Sequence, residues 1–278
     1  MTDKAVLIGI NSYPDAPLAG CVNDVKDMAE FLVSCCSFKP GAIRLLVDRR
    51  ATTKGILTRL AWLVRDAKPG DRLLFHYSGH GAQVATRNPQ DEIDGKDEVA
   101  CPVDFDWDDI HLIRDKTFHD IFSKVPAGVK FVWVADACHS GSLDRGFEMP
   151  SKKTKPVKKS KAKVLGHRFM PAPADHEWRL RVADHEKKPA SKIAAKVLST
   201  PLNIAYISGC RDNQTSADAE FGGKPNGALT YFLLQSLRKD PKAPLTTVID
   251  MTRAALAKNG YSQVPQIDGS EINQAFLG

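Results

Sequence analysis

Four short apolar runs, KAVLIGI, DRLLFHYSGHG, VKFVWVADACHSGS and LNIAYISG, follow one pattern: a core of strand-forming residues that breaks off into small ones. Helical periodicity fills the intervals. Within residues 24–32, Val25, Met28, Ala29 and Leu32 recur at i, i+3, i+4 and i+7, with Lys26, Asp27 and Glu30 on the opposite face. In TTKGILTRLAWLVRDA the same spacing runs through Ile56, Leu60 and Leu63, with Thr52 or Thr53 as the cap and Pro69-Gly70 as the stop. A further strand is expected around residues 43–47 and a further helix over 115–124. The acidic, glycine-containing stretch 91–109 reads as a loop. This alternation predicts an α/β fold with a mostly parallel central sheet flanked by helices on both faces. Such sheets carry their sites just beyond the carboxyl ends of the strands, where SGHG, DACHSG and SGCRD all fall.

A chain of 278 residues, 42% hydrophobic and 26% charged, buries a sizeable core, and one catalytic domain is expected. The apolar run near the start is too short for a signal-peptide core, and no stretch approaches the roughly 18 apolar residues of a membrane span. A soluble, cytoplasmic protein without a membrane partner is therefore expected. Six cysteines, at positions 21, 35, 36, 101, 138 and 210, show no C-x-x-C pair, so reduced thiols are the default reading. The net charge of +6 is local: residues 145–199 hold 15 Lys or Arg against 5 Asp or Glu, which leaves 24 basic and 28 acidic residues elsewhere. Within that stretch SKKTKPVKKSKAK carries seven lysines and no acid. Between residues 147 and 200 the strand and helix pattern fails, and an insertion or linker is expected. Seven clustered lysines attract polyanions at low salt, but no aromatic interleaving supports a specific nucleic-acid site.

A nucleophilic cysteine needs a base to form its thiolate and backbone N–H groups aimed at the oxyanion of the attacked carbonyl. His80 and Cys138 each follow a predicted strand. Gly79 and Gly81 flank the histidine, and Ser140-Gly141 follow the cysteine, so little side-chain bulk obstructs a substrate. The N–H groups of Gly81 and Cys138 are the candidate oxyanion donors. Taken singly, a cysteine and a histidine in such runs are more often core residues; their joint context favours chemistry. His76 and His80 stand four apart on a predicted strand, without the glutamate of a zinc-peptidase helix.

YSGHG, then DACHSGS 58 residues on, SGCRDNQTSADA and GALT together resemble the metacaspase branch of the caspase-like cysteine peptidases (peptidase family C14). GINSY, GCVNDVKDM, DGKDEVACPVDF and QVPQI extend the resemblance over nearly the whole chain apart from residues 147–200. The compact length is similar to that of prokaryotic caspase homologues. The resemblance implies a caspase-like fold in three parts: a larger, p20-like region at 1–146 with a His80–Cys138 dyad, a basic linker at 147–200 open to self-cleavage, and a smaller, p10-like region at 201–278. It also implies an S1 pocket for a cationic side chain from Cys21, Asp24, Ser78 and Asp136, and hence protein or peptide substrates cut after Arg or Lys. Read alone, Asp24 would be a helix cap and Asp136 a strand-end carboxylate.

The dyad needs no cofactor, but the resemblance implies calcium, held by Asp97, Asp115 and Asp144. The family usually places an acid beside Asp115, where this chain has Arg114. A guanidinium there supplies the positive charge in place by pairing with Asp97 or Asp144. An alternative alignment uses the Asp108-Asp109 pair, within an acidic run that also includes Asp91, Asp94, Asp104 and Asp106. Cys35, Cys36, Cys101, His139 and Cys210 are assigned no chemistry. The resemblance further implies a monomer, activated by its own cleavage or by an upstream protease; the competing reading is a caspase-like adaptor with incidental catalysis.

Overall fold

The computed structural model describes residues 1–85, 96–138, 163–173, 202–211, 214–270 and 272–277. Its strands are β1 (Asp3–Gly9), β2 (Ile43–Val47), β3 (Arg72–Ser78), β4 (Gly81–Ala85), β5 (Lys96–Ala100), β6 (Ile113–Arg114), β7 (Lys130–Asp136), β8 (Lys163–His167), β9 (Ala205–Ser208), β10 (Ala217–Phe221), β11 (Lys224–Gly227) and β12 (Gln266–Gly269). Its α-helices are α1 (Cys21–Cys35), α2 (Thr53–Val64), α3 (Asp115–Phe122), α4 (Ala228–Lys239) and α5 (Leu245–Lys258).

The central sheet has the order β12-β9-β7-β3-β1-β2. Every pairing is parallel except β12 with β9. Both faces are covered, as the hydrophobic strands require. On one side Val25, Met28 and Leu32 of α1 join residues of α4 and α5 against Leu7, Leu74 and Val134. On the other, Ile56, Leu60 and Leu63 of α2 and Phe118 and Phe122 of α3 pack on Ile8, Phe75 and Phe131. Burying a side chain such as Leu7 or Ile8 contributes about 1.5–3 kcal/mol. The expected α/β architecture is thus present, and α2 is capped by Thr52, whose side chain accepts from the Gly55 N–H at 3.1 Å.

Two departures from the sequence reading matter for the site. The acidic stretch read as a loop contains β5, which joins β4 and β6 in a small antiparallel sheet. The stretch read as a patternless linker contains β8, paired antiparallel with β10. The lysine run at 151–162 lies outside the described residues.

Candidate active site

Gly9, Ser78 and Asp136 end three neighbouring strands in register, and the candidate residues gather beyond them. Immediately after β3 the chain turns at Gly79 into His80. The His80 main chain is fixed by two tyrosines: its N–H donates to Tyr13 Oη at 3.0 Å, and Tyr77 Oη donates to its carbonyl at 2.7 Å. The Tyr13 ring stands edge-on to the imidazole, 4.6 Å between centroids. His80 Nε2 lies 2.7 Å from the Ala16 carbonyl, which only accepts, so Nε2 carries the hydrogen and Nδ1 keeps the lone pair. Nδ1 is buried with no hydrogen-bond partner among the described residues. Burial holds the imidazole below its ordinary pKa against the pull of the Ala16 and Arg168 main chain, which favours a neutral ring.

Cys138 lies two residues past β7 and is fully buried. Its sulfur receives the Ser216 N–H and lies 3.7 Å from the Ser216 carbonyl. His139, Ser140, Gly141 and Asp144 fall outside the described residues.

The most informative contacts belong to a residue the sequence did not single out. Arg168 directly follows β8 and is 0% exposed; among the described residues it is the only Lys or Arg that is buried. Its carbonyl oxygen accepts both candidate oxyanion donors, the N–H of Gly81 and that of Cys138, each at 3.1 Å. Its guanidinium enters a pocket at the strand ends. Nη1 donates to Ser78 Oγ at 2.8 Å and pairs with Asp136 Oδ2 at 3.1 Å. Nη2 donates to Asp24 Oδ2 at 2.7 Å and to Asp218 Oδ1 at 3.0 Å.

The pocket is built mainly by long-range bonds. Asp24 sits in the first turn of α1 but does not cap it: its Oδ1 accepts the Gly227 N–H at 2.9 Å, and Oδ2 takes the Ser78 hydroxyl at 2.8 Å. Asp136 accepts Ser216 Oγ at 2.8 Å and both the N–H and hydroxyl of Thr230 at 2.9 and 2.7 Å. Cys21 is fully buried at the start of α1, its N–H held by Asn11 Oδ1 at 2.9 Å. Asp218, absent from the predicted pocket, is oriented by the N–H groups of Ala19 and Gly20 at 2.8 and 3.1 Å. A Cβ on Gly227 would collide with Asp136 Oδ2 and the Arg168 guanidinium, so glycine leaves the room the cation fills. Three carboxylates face one guanidinium, so the buried negative charge is incompletely balanced. Burial accordingly pushes Asp24 up to about 6 despite Arg168 beside it.

The main chain around Arg168 is held on both sides. Its N–H donates to the Ser216 carbonyl at 3.1 Å, continuing the β8–β10 ladder, while Phe169 bridges to Gly81 and the Met170 N–H donates to the Gly81 carbonyl at 2.9 Å. An extended peptide therefore crosses the cleft with a basic side chain in an acidic pocket and its carbonyl on two N–H donors. Two N–H donors on one carbonyl would stabilise an oxyanion formed there, an arrangement that suits acyl transfer to a thiol.

The other histidine of the pair points elsewhere. His76 is buried within β3, its pKa lowered by burial to about 4, and its Nε2 lies 3.3 Å from Thr230 Oγ1. Among the described residues no group of three His, Cys, Asp or Glu is placed to hold a metal ion. Calcium would need oxygen ligands free to turn toward it. Both Asp97 oxygens already hold cations: Lys116 Nζ at 2.7 Å on Oδ1 and Arg114 Nη1 on Oδ2. Arg114 Nη2 also reaches Asp109 Oδ1 at 2.7 Å, and Asp115 Oδ1 accepts the Lys116 N–H at 2.8 Å. A dication at Asp97 would meet a guanidinium and an ammonium, so these residues do not fit it. The remaining described acids of the run have local work: Asp104 accepts the Thr53 N–H at 2.8 Å, Asp106 accepts from the Asp108 N–H and His111, and Asp108 caps a 3-10 turn. Asp91 and Asp94 lie outside the described residues.

The fold is that of the caspase-like cysteine peptidases. The chain matches a protein from Geobacter sulfurreducens with a TM-score of 0.69 at 23% identity, covering 99% of this chain and 98% of that one. It matches caspase-1 from Spodoptera frugiperda with a TM-score of 0.58 at 12% identity, covering 99% and 89%. Residues 3–144 match the family model "Metacaspase, peptidase C14 domain". Metacaspase-1A of Aspergillus fumigatus is 34% identical over 96% of this chain and 68% of its own length, and metacaspase-1 of Schizosaccharomyces pombe 33% over 99% and 69%. Metacaspase-1 of Coccidioides immitis is 34% identical over 96% of this chain, which spans only 61% of that relative. The chain belongs to the metacaspase family of cysteine-type peptidases.

Proposed function

We propose that the protein is an endopeptidase that cuts on the carboxyl side of Arg or Lys, with Cys138 as nucleophile and His80 as base. The observation that carries this reading is Arg168, whose guanidinium lies among Asp24, Asp136 and Asp218 while its carbonyl takes the N–H groups of Gly81 and Cys138. A pocket of desolvated carboxylates selects a cation and rejects neutral or acidic side chains, which would leave buried charge unpaired. His80 Nδ1 takes the thiol proton, the thiolate attacks the carbonyl, and the oxyanion rests on the two N–H groups. The proton then passes to the leaving amine, and water releases the acyl group. We further propose that no calcium is required, on the ground that Arg114 and Lys116 occupy Asp97.

Mass mapping of chain termini and hydrolysis of a fluorogenic Arg peptide test this reading in wild type and Cys138→Ala. Cuts after Arg or Lys in the wild type alone are the expected result. A Cys138→Ala protein that still cuts, or a wild type that prefers uncharged residues at the cleavage position, would overturn it. Self-processing within residues 147–200 would follow from the same specificity, since that stretch is the most basic in the chain.

A further inference from the structure

We propose that the Arg168–Phe169 peptide bond is the protein's own processing site and that, until it is cut, residues 163–170 close the cleft to other substrates. This rests on the reading of His80, Cys138 and the acidic pocket given above, and adds a particular bond and a consequence for the intact chain.

Position, not composition, separates Arg168 from the other basic residues of its neighbourhood. It alone is buried among the described Lys and Arg residues, and it alone brings a carbonyl onto both the Gly81 and Cys138 N–H groups. The chain on its amino side is held as a strand against β10, and the chain on its carboxyl side is held by Gly81. Both flanks of one peptide bond are therefore fixed across the nucleophile, as a substrate's would be. By contrast, Val164 and Leu165 of the same segment are 43% and 39% exposed, so the grip comes from the backbone and from Arg168 rather than from a packed apolar plug. A segment held in this way blocks the pocket and also presents its own bond for attack.

The step balances without any redox partner. The Cys138 sulfur bonds to the Arg168 carbonyl carbon while the bond to the Phe169 nitrogen breaks, and His80 passes the thiol proton to that nitrogen. Water then splits the thioester, giving an Arg168 carboxylate and returning a hydrogen to the sulfur.

The test uses the full chain as wild type, Cys138→Ala, Arg168→Ala and Phe169→Pro. Phe169→Pro keeps Arg168 in its pocket while blocking the bond, and the contacts to Gly81 use the Arg168 carbonyl and the Met170 N–H rather than the nitrogen of residue 169. In the wild type, mass mapping should find a new amino terminus at Phe169, which is absent from the other three. Freshly prepared Arg168→Ala should hydrolyse a fluorogenic Arg peptide at least about tenfold faster than uncut Phe169→Pro, with no lag. Equal initial rates for these two variants, or wild-type processing that never yields the Phe169 terminus, overturn the inference while leaving the Arg/Lys reading in place, provided the peptide is cut. Failure of every variant to cut the Arg peptide would sink both.

Discussion

A carbonyl oxygen accepts a hydrogen bond and never donates one, so the 2.7 Å contact from Ala16 fixes the hydrogen of His80 on Nε2 and leaves the lone pair on Nδ1, the nitrogen proposed above as the base. Around this ring lie the Tyr13 hydroxyl and ring, the Arg168 guanidinium and the Asp218 carboxylate. Burial is the largest influence and lowers the His80 pKa, and the guanidinium adds to it, while the Ala16 carbonyl, Asp218 and the Arg168 main chain pull the other way. A base works only when unprotonated, so a lowered pKa moves the loss of activity toward acid. The first-order rate of self-cleavage should therefore be level near neutrality and fall to half its maximum below pH 6.5, the ordinary value for histidine. Asp24, raised to about 6, loses its charge over the same range and weakens the hold on Arg168, which deepens the fall. A half-maximum above pH 6.5 would show that His80 is not the base in this setting. Asp218 shows why a sequence reading of the pocket comes up short. Nothing in SADAEF distinguishes it from a solvated turn acid; its role appears only when the chain brings residue 218 against the Ala19 and Gly20 N–H groups, nearly 200 positions away.

Where β5, β6 and the first turn of α3 meet, basic side chains pair with a buried acid. Asp97 projects from β5, Arg114 from β6, and Lys116 from the start of α3; two cations grip one buried carboxylate. Removing one partner of a buried pair costs about 3–5 kcal/mol, because the other charge is left uncompensated. A chelator should leave hydrolysis of an Arg peptide unchanged. Arg114→Asp should destabilise the protein by about that amount and remove activity, with partial recovery on adding calcium. Chelator-sensitive wild-type activity, read by the same assay, would contradict this. The elements themselves were unequally legible. Helices α1 and α2 announce themselves through 3.6-residue periodicity and the Thr52 cap, and β1, β3 and β7 through uninterrupted apolar runs, because each buries side chains. Strands β5 and β8 do not: KDEVA is half polar, and KVLGH follows a lysine run and exposes most of its side chains. What holds β8 is main-chain bonding to β10, and local composition carries no record of that.

At the level of the whole molecule, the six-stranded sheet is stitched from distant parts of the chain. β9 pairs with β7 and β12 pairs with β9, so strands from beyond residue 200 complete a sheet begun at residue 3. Helix α1 packs in the same apolar cluster as α4 and α5, and Asp24 and Asp27 bind Asn226 and Gly227 across the same divide. A chain cut after Arg168 should therefore elute as one particle on size exclusion in native buffer and separate only in denaturant; elution of two fragments in native buffer would contradict the fold's continuity. The β8 strand carries a further consequence. A cut after Arg168 frees the chain on one side only, because β8 remains joined to β7 through residues 137–162. That covalent link keeps its end near the pocket, at an effective concentration on the order of millimolar. The newly formed arginine terminus would thus compete, as a captive product, with any dilute protein that approached the pocket. Arg145 and six lysines stand between the two strands, each a site the same specificity could sever. Breaking the tether there would convert a captive product into a diffusible one, so the number of cuts, rather than the first of them, would set how much of the enzyme is open to others.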